Sequence, residues 1–117
     1  MSELKRHHVG PRLSEMAVYN GTVYLAGQVP EDITGDIELQ TRDVLAAVDR
    51  LLAEAGTDKT RILMAQIFLR NMEYFQGMNR AWDAWVAPGS APPRATVEAR
   101  LFNSGCLVEI VVTAALP

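Results

Sequence analysis

The chain contains one cysteine, Cys106, in 117 residues. A lone cysteine excludes an internal disulfide and suits a reducing compartment. No apolar run approaches the ~18 residues that a membrane-spanning helix needs. The opening Met1-Ser2-Glu3-Leu4-Lys5-Arg6-His7-His8 has no apolar signal core, so a cytoplasmic protein is expected. Basic charge is scarce as well: 11 Lys and Arg against 14 Asp and Glu leave a net charge of −3. A nucleic-acid partner would need a basic face, and no Lys/Arg-rich run supplies one, so none is expected. Ligand clusters for a metal are also missing. His7 and His8 are neighbours whose side chains diverge on a strand, and no Asp, Glu or Cys stands beside them at ligand spacing.

What is present is an ordinary globular balance, 49% hydrophobic and 21% charged, enough for one domain spanning residues 1–117. Residues 1–15 are polar and weakly patterned. Asn20-Gly21, flanked by Tyr19 and Thr22, reads as a two-residue type I′ turn joining two strands within 16–27. Gly27 follows the second strand, where a missing side chain lets backbone or a ligand come close, and Pro30 ends it. Asp36 is a plausible N-cap for a helix reaching Ala55, with Val44, Val48, Leu51, Leu52 and Ala55 as its apolar stripe and Gly56 as its stop. Arg61 to Leu69 reads as a strand apolar on both sides. Asn71 can cap a second helix, about Glu73 to Val86, that buries Phe75, Met78, Trp82 and Trp85. Asn79 sits on the edge of that stripe. The prolines at 88, 92 and 93 then lead into two final strands.

The stretch from Pro92 to Leu116 carries two charges in strand-like sequence. Arg94 opens one run directly after a double proline. Glu109 interrupts Cys106-Leu107-Val108-Glu109-Ile110-Val111-Val112, a run apolar enough for a central strand. An unpaired buried carboxylate costs several kcal/mol. Three readings stay open on residue types alone: an Arg94–Glu109 structural pair, a solvent-facing Glu109, or a pocket suited to a small anion and a water.

The element order predicts an α+β fold: a mixed β-sheet of about six strands with two helices on one face. Strands 61–69 and 106–114 are apolar on both sides, so the face without helices would be left bare. A bare apolar face marks an interface, and an obligate oligomer is expected.

Three segments then carry a resemblance: Tyr24-Leu25-Ala26-Gly27-Gln28-Val29-Pro30, Phe75-Gln76-Gly77-Met78-Asn79, and Pro93-Arg94-Ala95-Thr96-Val97-Glu98 with Val108-Glu109-Ile110 downstream. The chain resembles the Rid (YjgF, reactive intermediate deaminase) family over nearly its full length. That resemblance implies a chorismate mutase-like fold and a homotrimer with clefts between subunits. It also implies hydrolysis of reactive enamines and imines, such as 2-iminopropanoate, to a 2-keto acid and ammonia without metal or organic cofactor. By the same resemblance Arg94 grips the substrate carboxylate, Glu109 positions or deprotonates a water, and Gly27, Thr96 and Asn79 line the pocket. Bidentate binding of a carboxylate suits arginine better than lysine.

Two positions depart from the family. Gly10-Pro11-Arg12 stands where many members have Gly-Pro-Tyr, so the tyrosine's contact is expected to be either missing or replaced by Arg12 as a second cation in the substrate-binding set. Thr96 replaces a frequent cysteine, while Cys106 reads as a buried apolar residue. The alternatives are a non-catalytic trimer that binds small carboxylates and regulates a partner, and, with less support from the charge, a ribonuclease or translation inhibitor.

Overall fold

The computed structural model describes residues 3–117. Its strands are β1 (Lys5–Val9), β2 (Ser14–Tyr19), β3 (Thr22–Leu25), β4 (Ile62–Leu69), β5 (Arg94–Glu98) and β6 (Val108–Ala115). They form one sheet in the order β1-β2-β3-β6-β4-β5. Only β4 and β5 run parallel; the other neighbours are antiparallel. Two helices, α1 (Ile37–Ala55) and α2 (Phe75–Trp85), cover one face. The expected six-stranded mixed sheet with two helices is therefore present.

Local chemistry explains the boundaries. Asn20 at φ 52 and Gly21 at φ 75 form the left-handed pair that a type I′ turn requires. Asp36 accepts a hydrogen bond from the Leu39 amide, and Gly56 at φ 91 closes α1 with bonds to the last carbonyls. Asn71 caps a short 3₁₀ turn, Met72–Tyr74, rather than the α-helix itself, so α2 begins later than its apolar pattern suggested. The weakly patterned N-terminus forms a strand after all: β1 is an edge, paired within the sheet only to β2 and largely exposed, so it needs little apolar patterning. The last strand begins at Val108, leaving Cys106 buried just before it.

Register sorts the side chains. Val112 and Ala65, Ile110 and Ile67, and Val108 and Leu69 pair across β6 and β4, and all six are buried beneath the helices. The opposite row alternates with them and carries Tyr24, Met64, Gln66, Phe68, Val97, Glu109, Val111 and Thr113. An irregularity between Ile62 and Met64 turns Ile62 into the core and leaves Leu63 and Met64 exposed. The helices cover a single face, and the other apolar side of β4 is left bare within one chain.

One polar residue in α1 organises two loops. Gln40, buried, donates from Nε2 to the carbonyls of Gly35 and Gly105 at 3.0 and 2.9 Å and accepts from the Leu107 amide at 2.9 Å. It fastens the entry to β6 against the loop before α1. Gly77 lets α2 approach α1 closely, since a methyl group there would fall 2.4 Å from Ile37 Cγ2.

Candidate functional site

Arg94 opens β5 in the row of Ala65 and Val112, so its side chain leaves the sheet on the helix-bearing face. There it meets α2. Phe75, Met78, Asn79 and Trp82 follow the i, i+3, i+4, i+7 spacing of one helix face. The guanidinium carbon lies 5.1 Å from the Trp82 ring centre and 5.9 Å from that of Phe75, within cation–π range. Met78 Sδ is 4.0 Å from one guanidinium nitrogen. No carboxylate pairs with Arg94 among the described residues. Partial burial lowers its pKa, and the more distant charge of Asp83 offsets part of that effect. The cation is held by rings and by one long contact to sulfur, and it forms no ion pair among the described residues.

Two polar atoms nearby are without partners. Thr96 lies two residues along β5 on the same face, roughly 7 Å away. Its Oγ1, and Oδ1 of Asn79, are buried without a hydrogen-bond partner. Buried polar groups in folded proteins are nearly always satisfied, so unpaired ones call for an explanation such as a bound molecule. Glu98 completes the strand's anchoring by accepting from the Met72 amide at 3.0 Å, which fixes β5 against the 3₁₀ turn that leads into α2.

Glu109 is elsewhere. It pairs with Phe68, in the row that alternates with the core, and so projects from the face without helices. Counting strand spacings places its Cα roughly 14 Å from that of Arg94, on the other side of the sheet. The Arg94–Glu109 structural pair is not formed. Glu109 instead folds over Gly27, where a methyl group would sit 1.9 Å from its Oε2. Gly27 is thus required by the carboxylate of Glu109. Gln28 beyond it bridges to Ile110 through reciprocal backbone bonds of 2.9 and 3.0 Å.

The predicted residues therefore fall into three places. Arg94, Thr96 and Asn79 gather between β5 and α2. Gly27 and Glu109 meet on the opposite face. Arg12 is exposed in the β1–β2 loop, and β2 stands four strand spacings, roughly 20 Å, from β5. No single chain brings Arg12 to Arg94. Cys106 behaves as expected of an inert thiol: it is buried, its Sγ contacts the Val108 carbonyl at 3.4 Å, and burial raises its pKa. Sequence reasoning singled out Arg94 but missed the part of Trp82, whose apolar spacing marked it only as core.

Fold and site together define a small α+β protein whose edge strand carries an arginine with no ion pair among the described residues. Its relatives are specific. The family described as Endoribonuclease L-PSP matches residues 6–116. A RutC family protein of Haemophilus ducreyi is 55% identical over 113 residues, 97% of each chain. RutC family protein YoaB of Escherichia coli is 45% identical, covering 90% of this chain and 91% of that one. The crystal structure of a YjgF family member from Neisseria meningitidis superimposes with a TM-score of 0.96 at 46% identity, over 98% of this chain and 96% of the other. The chain belongs to this family, the Rid/YjgF/RutC family.

Proposed function

We propose that the protein hydrolyses 2-imino acids to 2-keto acids and ammonia. The observation that carries this reading is the Arg94 guanidinium, partly buried without an anionic partner beside the unsatisfied Thr96 and Asn79 atoms. A small 2-imino acid could complete all of these: its carboxylate accepts from Arg94 and from the Thr96 hydroxyl, and its imine N–H can donate to Asn79 Oδ1. With its carboxylate on Arg94, a 2-imino acid has C2 held in a fixed orientation, which is where positional catalysis begins. Water oxygen then bonds to C2, the C=N π pair moves to nitrogen, and nitrogen takes a proton. In the resulting carbinolamine a proton passes from the hydroxyl to the amino nitrogen, the C–N bond breaks with its electron pair leaving on ammonia, and the C=O forms.

Glu109 suits the role of orienting and deprotonating that water, since a general base must be within hydrogen-bond reach of it. Within one chain it is too far away and on the wrong face. The reading therefore includes a homotrimer in which Glu109 of one copy faces Arg94 of its neighbour, the bare sheet face being the contact. Exposed Tyr24, Met64 and Val97 on that face favour such burial.

The separation of Arg94 from Glu109 also favours a second reading. A single chain brings Arg94 and Thr96 together without Glu109, an arrangement that suits a regulatory carboxylate-binding protein. Imines generated in situ by an amino-acid oxidase separate the two. Accelerated keto-acid release by the native protein, lost in Arg94→Ala and in Glu109→Gln, supports hydrolysis. Saturable keto-acid binding with no acceleration for any amino acid in the panel supports the regulatory reading.

A further inference from the structure

A groove of about 830 Å³ lies between α1 and the β1–β2 end of the sheet, on the far side of the molecule from β5. One wall is a helical stripe, Ala47, Arg50, Leu51 and Glu54, spaced i, i+3, i+4, i+7. Glu15 and Gln28 face it from the sheet. We propose that this groove binds a free α-amino acid, with its ammonium on Glu15 and Gln28, its carboxylate on Arg50, and its side chain over Ala47 and Leu51.

The charges left unpaired decide the ligand class. His8 crosses the end of the groove, and its Nε2 lies 2.8 and 2.9 Å from the two carboxylate oxygens of Glu54. That contact commits Glu54. Gln28 is only 7% exposed, and its Nε2 donates to the Ala26 carbonyl at 3.0 Å and to Glu15 Oε2 at 3.2 Å. The second of these bonds holds the Glu15 carboxylate, and together they use Nε2 and leave Gln28 Oε1 as an acceptor with no partner among the described residues. Arg50 likewise makes no hydrogen bond or ion pair among the described residues. One fixed anion and one uncommitted cation across an apolar floor match a zwitterion. A lone anion or a lone cation would leave one of them unpaired.

This site is independent of imine hydrolysis, because it uses an ammonium and lies at the other edge of the sheet. Backbone amide spectra of the full-length protein, titrated with L-leucine, test it. Saturable shifts centred on Gln28, Arg50 and Leu51 are expected, weakened at least about tenfold in Arg50→Gln and in Glu15→Gln. Both substitutions fall on or near the surface, and circular dichroism checks that the fold persists. The 2-keto acid of leucine, lacking the ammonium, and isopentylamine, lacking the carboxylate, should each bind at least about tenfold more weakly. Three results would overturn the proposal: no saturation with L-leucine or other L-amino acids at tens of millimolar, either analogue binding as well as leucine, or shifts confined to β5 and α2.

Discussion

Gly27 and Glu109 are fitted to one another: the carboxylate occupies the space that any side chain at position 27 would need. Gly27→Ala must displace Glu109 and strain a loop that is bridged to β6. A stability loss of about 1–3 kcal/mol is expected, typical of overpacking. Imine turnover should fall sharply while keto-acid binding at Arg94 persists. Equal loss of both would show that Gly27 serves the fold alone.

Trp82 is both core and cradle, 5% exposed and beneath the Arg94 guanidinium. Trp82→Leu should lower stability by about 2–4 kcal/mol through lost volume and raise the KM for imino acids by freeing Arg94. Trp82→Phe keeps a ring face and should restore KM more than it restores thermal stability. A KM that tracks stability across the two variants would remove Trp82 from the site's description.

The pKa of His8 is raised above its ordinary 6.5, first by its hydrogen bond to Glu54 and then by that residue's charge. Because the folded state favours the protonated ring, the stabilisation is fully present below about 6.5 and is lost as pH rises through the folded value. NMR titration should place the His8 midpoint above 6.5, and Glu54→Gln should bring it down. A midpoint unmoved by that substitution would mean the contact is not populated.

Gln40 makes the bonds that join two loops from inside the core. Gln40→Leu should destabilise by at least about 2 kcal/mol, because the Leu107 amide and two carbonyls lose their partner. Chemical denaturation measures this directly, and a neutral result would mean that water replaces the amide.

Val111 lies at the centre of the bare face, on the central strand β6. Val111→Arg should leave the monomer folded, since no helix covers that position, and should dissociate the oligomer. Sedimentation velocity checks this, with a trimer expected for the native protein and a monomer for the variant. A native protein that sediments as a monomer would remove the intersubunit site and with it the proposed role of Glu109.

Much of this architecture was legible because it rests on local chemistry. Asn20-Gly21 can hardly avoid a tight turn, and Asp36 and Gly56 bracket a strongly amphipathic helix. What escaped depended on contacts remote in sequence. Edge strand β1 has no apolar alternation to betray it, and the irregularity near Leu63 shows only in its pairing with β6. Arg94 and Glu109 were each conspicuous as charges in strands. Their assignment to opposite faces required the pairing of both with β4, which neither segment encodes alone. Gln40 was invisible for the same reason: its partners lie up to 67 positions away.

Strand β5 is bonded to a single neighbour, β4, and reaches it by the one parallel pairing in the sheet. Such a strand can peel away while β4 and β6 remain joined, so its amides should exchange with solvent well before those of the centre. Arg94 and Thr96 ride on that strand. The half of the molecule that carries Arg94 can therefore loosen and re-form many times within the lifetime of an intact core.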